Sequence, residues 1–412
     1  MRILLINNFH YLRGGSDRVY FETARILKNK GHEVGFFSTQ SPENEATDFS
    51  HYFVKNKDIS QQQSFFNKVF SAKEFVYNPE AVQKLEKLLS EFKPHIVHLH
   101  IFQSRLSSAI IKTIKKSGIP SVMTVHEYKM LCPVYICLDS KGEICEKCAN
   151  GNYIPCITNK CTQNSYLASA INAIESKVRD QFFNYENNID AFVYPSQFIK
   201  NKHTQYKDAL KNKSYVIHNF IDLNKFSTTQ QKEDYYLYYG RLSREKGVPT
   251  LINAWKKFPH LKLKIVGSGP EENLIKQLVK ELNLSNVELL GAKYGNELTQ
   301  IIQKAKFTLV PSEWYETFGL TIIESYACGT PVIAAAIGGI EELVDENKTG
   351  FLFESHNENK LCAAIQKSNT LLREEYNLLS KFSVEKANTA FTEEKYYDSL
   401  IKVYTSISLS DT

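Results

Sequence analysis

Short apolar runs alternate with helical patterns along the whole chain, and this alternation restricts the fold more than any other feature of the sequence. The first apolar run, residues 2–7, leads into a turn with Gly14 and Gly15, a helical pattern over residues 16–30 and a second run at 32–38. This order of strand, helix and strand is the repeating unit of a parallel α/β sheet. The second half of the chain repeats it, which predicts two similar units, each built on an open parallel sheet.

The length of the chain also indicates two domains. At 412 residues with 42% hydrophobic residues, it exceeds what a single core usually supports. A polar stretch over residues 224–234 is typical of a linker. We therefore predict a first domain over residues 1–215 and a second over 216–412, with the option that the last helix packs back on the first domain.

Charge is divided unevenly between the two halves. Residues 1–215 contain 28 Lys or Arg and 20 Asp or Glu, a balance of +8, whereas the rest of the chain carries −3. The first half is the better neighbour for an anionic membrane, although a solvated face explains the balance equally well. No run approaches the roughly 20 apolar residues of a membrane span, and residues 1–6 read as a strand rather than a signal peptide. We expect a cytoplasmic protein, with peripheral contact at the inner face of the membrane as a further hypothesis.

Aromatic residues are interleaved with lysines just before a helix predicted at residues 79–92. The pattern is compatible with a membrane-surface element, with an acceptor-facing element, or with a helix packed on its own domain, which is favoured. The residues are Phe65, Phe66, Val69, Phe70, Phe75, Val76 and Tyr77.

Two carboxylates in residues 311–331 are the first candidates for chemistry. Buried strands are predicted on either side of this stretch, which itself forms a loop and one helix. Glu324 lies on the apolar face of that helix, where an unpaired charge costs several kcal/mol, so it must have polar partners. Glu316 lies in the preceding loop. The alternative is that Glu316 caps the helix and Glu324 is solvated.

The start of the same helix lies between the two acids. Phe318, Gly319 and Leu320 open it, so free backbone N–H groups and the positive end of the helix dipole are available there. Such a helix start binds phosphate, while carboxylates accept hydrogen bonds from sugar or ribose hydroxyls. Together they predict a site for a sugar nucleotide.

Two further glycine loops follow predicted strands in the second half. The loop at 240–247 contains Arg241 and Lys246, two cations suited to a diphosphate. The loop at 267–270 is similar to a dinucleotide fingerprint, but Glu272 stands where the third glycine belongs, which disfavours a dehydrogenase.

Three histidines lie at or near the ends of neighbouring predicted strands in the first half. They are His98, His100 and His126. Ligands of parallel α/β sheets bind beyond the carboxyl ends of the strands, so these side chains are in the right region for a site. The alternative is that they are merely solvated.

Six of the eight cysteines fall within residues 132–161. Without an export signal, this density favours a metal over disulfides, because cytosolic thiols stay reduced. Cys145 and Cys148 form a C-x-x-C pair typical of tetrahedral zinc sites. We predict a structural zinc ion, with free or occasionally oxidised thiols as the alternative; the surroundings favour neither catalytic zinc nor a nucleic-acid-binding ribbon.

Taken together, the motifs at 14–15, 240–247, 266–270, 316–324, 327–331 and 338–339 resemble the retaining glycosyltransferases of family 4 nearly end to end. The most specific part of the match is Glu-x7-Glu, formed by Glu316 and Glu324. The resemblance implies a GT-B architecture, in which two Rossmann-like, doubly wound parallel-sheet domains face each other across a cleft. The acceptor would bind mostly to the first domain and the nucleotide sugar to the second.

The resemblance also implies roles for single residues. Glu316 would hold the hydroxyls of the donor sugar, and His126 would contact the sugar or phosphate near the reacting carbon. The implied donor-binding residues are Gly15, Arg241, Lys246, Phe318, Gly319, Leu320 and Glu324. The family often has Ala-Glu after the paired glycines, where this chain has Ser16 and Asp17, so an acid is retained.

A cysteine insert after His126 looks like one found in a subset of these enzymes. Its four cysteines match Cys132, Cys145, Cys148 and Cys161, which leaves Cys137 and Cys156 as extra thiols.

The activity implied is transfer from a nucleotide sugar, most readily a UDP-sugar, to a glycan or lipid-linked acceptor in cell-surface polysaccharide synthesis. Retention, no catalytic metal and no nucleic-acid partner are expected. The alternatives are a nucleotide-sugar epimerase or hydrolase on the same fold, and a zinc-containing binding protein.

Overall fold

The computed structural model describes residues 1–56 and 75–408, and the chain divides into two compact units. The first unit comprises Met1–Ile217 together with the chain from Tyr397 onward, and the second comprises His218–Tyr396. Each unit contains one six-stranded sheet in which all strands are parallel.

The sheet of the first unit has the order β2-β1-β3-β4-β5-β6. Its strands are almost wholly buried, as expected when helices cover both faces of a parallel sheet. The last strand of this sheet along the chain is not predicted from the sequence, whereas the other five match predicted apolar runs within one or two residues at each end. The sheet therefore has six strands. They are β1 (Arg2–Ile6), β2 (Glu33–Phe37), β3 (Ile96–Leu99), β4 (Ser121–Thr124), β5 (Ala191–Tyr194) and β6 (Ser214–Val216).

Seven helices of the first unit precede the second unit in the described part of the chain. They are α1 (Gly15–Asn29), α2 (Pro79–Phe92), α3 (Ile110–Lys116), α4 (Ile154–Thr158), α5 (Tyr166–Phe182), α6 (Tyr185–Asn188) and α7 (Gln197–Tyr206). Side-chain caps fix several starts: Ser196 accepts a hydrogen bond from the backbone N–H of Ile199, as its sequence position predicts.

Two helices of the first unit are shorter than their sequence patterns suggest. The sequence pattern predicts a helix near residues 105–117, but this helix begins only at Ile110, because Ser107 has a positive φ of 62° that interrupts a right-handed helix. The long helix predicted over residues 166–187 ends at Phe182. The side chain of Asn184 accepts from the N–H of Asn187 and so caps a separate turn, α6.

The sheet of the second unit has the order β12-β11-β10-β7-β8-β9. Its core is rich in aromatic rings, with Tyr236, Trp255 and Phe307 fully buried together. The strands are β7 (Tyr235–Tyr239), β8 (Lys262–Val266), β9 (Val287–Gly291), β10 (Phe307–Val310), β11 (Val332–Ala336) and β12 (Gly350–Glu354). All six match predicted strands.

The remaining helices complete the chain. They are α8 (Val248–Trp255), α9 (Glu272–Glu281), α10 (Gly295–Lys304), α11 (Leu320–Ala327), α12 (Ile340–Leu343), α13 (Glu358–Asn369), α14 (Arg373–Ala390) and α15 (Glu393–Ser408). Short 3₁₀ turns occur at Ser50–Tyr52, Asp208–Lys213, Leu223–Lys225 and Arg244–Lys246.

Helix α15 begins in the second unit and continues into the first. In the first unit, the hydroxyl of Tyr397 lies 2.9 Å from Nε2 of His32, and that of Tyr404 lies 2.6 Å from Nδ1 of His98. Among the described residues, no helix is both long enough and apolar enough to span a bilayer. Two doubly wound parallel sheets confirm the predicted α/β class.

Candidate active site

An ion pair lies at the carboxyl end of the second sheet. Nζ of Lys246, in the loop after β7, lies 2.5 Å from Oε1 of Glu316, in the loop after β10. Ser312 donates a hydrogen bond to the same carboxylate oxygen at 2.8 Å. Glu316 is 7% exposed, so its charge depends on these partners. The structure thus brings together two residues that the sequence placed in separate motifs.

Glycines allow the loops around this pair to pack tightly. Gly338 has φ of 67°, and a Cβ there would lie only 2.4 Å from the backbone oxygen of Glu316. The next residue, Gly339, donates its N–H to that oxygen at 2.7 Å. Gly247, also at φ 67°, lies so close to Pro311 that a Cβ would meet the Pro311 oxygen at 1.9 Å. Any other residue at these two positions would push the Glu316 loop away from Lys246.

The electrostatics of the pair favour the charged form of Glu316. Burial alone raises the pKa of this carboxyl, but the charge of Lys246 and hydrogen bonds from Lys246 and Ser312 outweigh it and lower the pKa below its usual value. The ring of Trp314 also lies 5.2 Å from Nζ of Lys246. Glu316 is therefore an ionised hydrogen-bond acceptor at neutral pH.

The start of α11 lies in the same loop as Glu316. Gly319 precedes the helix at φ of 129°, a conformation that favours glycine, and Phe318 is buried beside it. Tyr239, at the end of β7, donates its hydroxyl to the backbone oxygen of Thr321 at 2.5 Å and thereby anchors the first turn. Glu324 is 5% exposed on this helix, in agreement with its predicted place on the apolar face.

Arg241 follows β7 and is exposed. Its backbone oxygen accepts a hydrogen bond from the Tyr238 hydroxyl at 2.8 Å, which fixes the loop. Its guanidinium has no hydrogen bond or ion pair to any residue in the ranges 1–56 and 75–408. The structure therefore places Arg241 on the same loop as Lys246 but does not join it to Lys246 and Glu316.

In the first unit, the rings of the three predicted histidines stack on one another, with His98 and His100 buried and His126 half-buried. The rings of His98 and His100 lie 4.6 Å apart, and those of His100 and His126 lie 5.2 Å apart at an angle of 20°. Burial lowers the pKa of His98 to about 3 and that of His126 to about 4, and the pKa of His100 is lowered as well. All three rings are therefore neutral at pH 7. The alternative of solvated histidines is wrong for His98 and His100, which are buried, whereas His126 is half-buried.

The hydrogen bonds of His100 indicate which nitrogen of His126 carries the proton. Nδ1 of His100 lies 2.9 Å from Nε2 of His126, whereas Nε2 of His100 is buried with no partner among the described residues. A proton on that nitrogen would be a buried, unsatisfied donor, which costs more than a bare lone pair. The favoured arrangement is donation from His100 Nδ1 to His126 Nε2, so that His126 carries its own proton on Nδ1.

The glycine turn of the first unit is held by an acid at the start of α1. Gly15 is exposed as the first residue of that helix. Asp17 is buried, accepts from the side-chain amide of Asn7 at 2.9 Å, and has backbone hydrogen bonds with Arg13 and Gly14. Burial is the main reason that the pKa of Asp17 is raised. Through these hydrogen bonds, the carboxylate of Asp17 holds the backbone of the glycine turn in place.

The cysteines lie in one loop region and contact each other in pairs. The thiol of Cys137 lowers the pKa of Cys132 to about 7 through a side-chain hydrogen bond, and Cys156 has the same relation to Cys161. No group of three or more His, Cys, Asp or Glu side chains is arranged to hold a metal within the part of the chain that the structure describes. The thiols supply the donor chemistry that zinc prefers, but their side chains are arranged two by two.

Sequence reasoning missed a buried ionic network beside His126. Nζ of Lys129 lies 3.2 Å from the carboxylate of Glu175, and Arg179 donates to the backbone oxygen of Lys129 at 2.8 Å. Glu127 interacts with the same charges. Burial, together with the charges of Glu175 and Cys132, raises its pKa to about 7, although the charge of Lys129 opposes the rise. Local sequence patterns do not reveal this network, because its charged residues are distant in the chain and pair only when the core has formed.

Two doubly wound parallel sheets with glycine loops at the carboxyl ends of their strands make up the GT-B fold, an architecture of glycosyltransferases. The chain belongs to glycosyltransferase family 4: the model described as Glycosyltransferase Family 4 matches residues 13–225. A second model, described as Glycosyl transferases group 1, matches residues 220–383.

Two relatives and one solved structure of similar fold illustrate the range of similarity. An uncharacterized glycosyltransferase of Methanocaldococcus jannaschii is 34% identical over 228 residues, which cover 55% of this chain and 63% of that protein. An uncharacterized 42.6 kDa protein in the cps region of Klebsiella pneumoniae is 26% identical, over 83% of this chain and 87% of that one. The Anabaena protein HepE, solved in complex with UDP, has a TM-score of 0.67 at 17% identity, covering 98% of this chain and 100% of that chain.

Proposed function

We propose that the protein is a retaining glycosyltransferase that moves a hexosyl group from a nucleotide sugar to a hydroxyl of a glycan precursor. The observation that carries this proposal is the ion pair between half-buried Lys246 and buried Glu316 at the glycine-lined end of the second sheet. The pair offers a cation to a phosphate and a carboxylate to sugar hydroxyls in one place. Membership of family 4 supports the same activity.

We assign the donor to the loops of the second unit. Arg241 and Lys246 neutralise the diphosphate, and the backbone at Phe318, Gly319 and Leu320 binds it at the start of α11. Two carboxylates bind hydroxyls: Glu316 those of the sugar, and Glu324 those of the ribose. Because cations and a helix N-terminus balance the charge of the leaving group, we propose transfer without a catalytic metal.

We assign His126 and the turn at Gly15 in the first unit to contacts with the sugar phosphate. With its proton on Nδ1, His126 donates a hydrogen bond to a ligand oxygen rather than removing a proton. In the transfer, the acceptor oxygen bonds to the anomeric carbon as the bond from that carbon to the phosphate oxygen breaks. The hydroxyl proton passes to the departing phosphate on the same face, so the anomeric configuration is retained.

We propose a UDP-sugar as donor and a lipid-linked precursor of a cell-surface polysaccharide as acceptor, at the inner face of the membrane. A UDP-bound protein of the same fold supports the donor, and a relative in the cps region of Klebsiella pneumoniae supports the pathway class. The positive balance of residues 1–215 supports an acceptor carried by an anionic membrane.

Release of nucleoside diphosphate tests the proposal. Purified protein is given UDP-, GDP- or ADP-sugars with and without a membrane extract as acceptor, and the anomeric configuration of the product is read by NMR. Release should require the extract and fall by at least about 100-fold in Glu316→Gln and Lys246→Ala.

An exposed ion pair provides matched controls for these variants. Lys257 and Glu358 lie 3.0 Å apart in the same unit, so Lys257→Ala and Glu358→Gln should keep full activity. Release without acceptor would instead indicate a hydrolase. No release and no nucleotide binding with any donor would overturn the proposal.

For the cysteines, we propose a structural zinc ion held by Cys132, Cys145, Cys148 and Cys161. Thiolates are the ligands that structural zinc sites use most, and these thiols lie within one loop region. Protein purified under reducing conditions without chelator should contain one zinc per chain, and Cys145→Ser with Cys148→Ser should lose it. Cys362→Ser in the second unit is the control, and metal-free wild-type protein would contradict the proposal.

A further inference from the structure

Helix α5 buries small and charged residues and leaves its large apolar residues on the outside. The residues of α5 that are buried are Ser169, Ala173, Glu175, Ser176 and Arg179, which are small or charged. A helix of a globular protein normally has the reverse arrangement, with an apolar stripe toward the core. Both the polar inward face and the apolar outward face of α5 therefore require a physical explanation.

The inward face is held by ionic and polar contacts. Arg179 lies 3.0 Å from the carboxylate of Asp180 and donates to the Tyr153 hydroxyl at 3.1 Å. Glu175 pairs with Lys129 at 3.2 Å and accepts from Ser108 at 3.3 Å. Because a buried charge without its partner is strongly unfavourable, these contacts fix which way the helix faces.

The outward face is an apolar stripe at helical spacing. We call it the outer face of α5 and define it by Leu167, Ile171, Ile174, Val178 and Phe182. Leu167 is 62% exposed, Ile174 is 56% exposed and Phe182 is 57% exposed. The stripe runs the length of a 17-residue helix, about 25 Å.

Exposed apolar side chains are concentrated in this part of the chain. Of the fourteen large hydrophobic residues exposed in the described residues, seven lie between residues 135 and 182. They are Tyr135, Ile144, Ile154, Tyr166, Leu167, Ile174 and Phe182. Single exposed apolar residues are normal, whereas a concentration of this kind marks a contact surface.

The charges around the outer face are basic. Both acids of α5, Glu175 and Asp180, pair with the inward cations. Lys177 is exposed, and Nζ of Lys160 lies 4.5 Å from the ring of Tyr166 at the start of the helix. The outer face therefore combines apolar and aromatic side chains with lysines, and both acids of α5 itself, in this described part of the chain, are engaged with the inward cations.

We propose that the outer face of α5 binds the surface of a lipid bilayer that contains anionic headgroups. Leu, Phe and Tyr side chains enter the boundary between headgroups and acyl chains, while Lys160 and Lys177 contact the headgroups. A second copy of the chain fits less well, because a two-fold contact on this face brings two Lys177 side chains together without an acid. The inference rests on the proposed function, since it states how the enzyme reaches a lipid-linked acceptor.

Vesicle sedimentation of the full chain tests the proposal. Vesicles of phosphatidylcholine alone are compared with vesicles that also contain phosphatidylglycerol. The variant Leu167→Ser/Ile174→Ser/Phe182→Ser should lose at least about tenfold in binding. Lys160→Glu/Lys177→Glu should lose at least about fivefold on the anionic vesicles alone, and more salt should weaken binding.

The second unit offers a matched control. Leu274, Tyr294 and Leu372 are also exposed, so Leu274→Ser/Tyr294→Ser/Leu372→Ser should bind as the wild type does. Absence of vesicle binding by the wild type, or equal binding by the two triple variants, would overturn the proposal. So would a wild-type dimer that dissociates in the α5 variant without vesicle binding, because the face would then bind a second copy.

The vesicle assay contains no nucleotide sugar, so its result is independent of sugar transfer. Vesicle binding without nucleoside diphosphate release would leave the membrane surface standing and remove the proposed function. Nucleoside diphosphate release without vesicle binding would support the proposed function and overturn the membrane surface. Thermal unfolding of each variant confirms that the exposed substitutions leave the fold intact.

Discussion

Nδ1 of His100 lies 2.9 Å from Nε2 of His126, and the two imidazole rings stack at 20° in the first unit. Each residue follows one of two neighbouring parallel strands, β3 and β4, so the register of the sheet brings them together. Through this contact, a residue assigned to ligand binding takes its protonation pattern from a fully buried neighbour.

We predict that His100 sets the tautomer of His126. Asn at this position keeps an N–H donor near the place of Nδ1, whereas Leu removes it. In protein with ¹⁵N-labelled histidine, wild type and His100→Asn should show His126 protonated at Nδ1, and His100→Leu should lose this preference and about tenfold in kcat. An unchanged His126 resonance in His100→Leu would contradict the prediction.

We predict that Lys246→Met destabilises the protein in a pH-dependent way. At pH 7 the loss should be about 2 kcal/mol, because buried Glu316 keeps its charge without its main partner and Lys246 is itself partly exposed. The lowered pKa of Glu316 means that the pair stabilises the wild type above pH 4.5 and loses this effect as pH falls through the folded pKa. The difference between the two proteins should therefore shrink toward acidic pH in urea unfolding, and Lys257→Met should show no such trend.

We predict the opposite trend for Glu127→Gln. The pKa of Glu127 is raised to about 7 in the folded chain, against 4.5 as the usual value, so the wild type loses stability as pH rises between these values. Gln does not ionise, and the variant should gain up to about 3 kcal/mol over the wild type above pH 7 and little near pH 4. Urea unfolding at both pH values measures this gain, with the exposed Glu143→Gln as control. An equal effect at both pH values would count against a titrating Glu127.

We predict that Gly338→Ala impairs donor binding as well as stability. Gly291 is a matched control, because it has almost the same φ, 68°, but nothing lies within 4 Å of its Cβ position. Gly291→Ala should cost about 1–2 kcal/mol from backbone conformation alone. Gly338→Ala should cost more and weaken UDP binding by about tenfold or more, because its Cβ displaces the Glu316 backbone. Equal effects of the two variants on UDP binding by calorimetry would show that the contact is unimportant.

The sequence allowed eleven of the twelve strands to be predicted because most of them are apolar runs buried on both faces; β6, with only three residues, was not predicted. Helix ends were less predictable, as at Ser107 and Asn184, because one residue's backbone angle or side-chain hydrogen bond decides them. The motifs located the loops of Lys246 and Glu316, but not the bond between them, which depends on the order of strands β7 and β10 in the sheet.

The sequence did not reveal the contacts of residues whose burial or exposure is the opposite of what their type and pattern indicate. The histidines at the strand ends read equally well as solvated side chains, and only the packing of Tyr20 and Tyr404 around them makes them neutral. On α5, the periodicity from Leu167 to Phe182 would assign the apolar stripe to the core. However, Glu175 pairs with Lys129, which lies outside the helix, and this pairing holds the opposite face of α5 toward the protein. The aromatic patch predicted at residues 65–77 lies outside the described residues, except for Phe75, Val76 and Tyr77; the ring of Tyr77 stacks on Phe183.

The hydrogen bond between His98 and Tyr404 joins residues that are 306 positions apart. A ribosome that adds 5–20 residues per second needs about 15–60 s to reach Tyr404 after His98 has been made. During that time the second unit is synthesised completely, while the first still lacks the helix that covers His98. The unit that is started first is therefore completed last. Until the final turns of α15 have been made, other parts of the nascent chain have to cover its buried histidines.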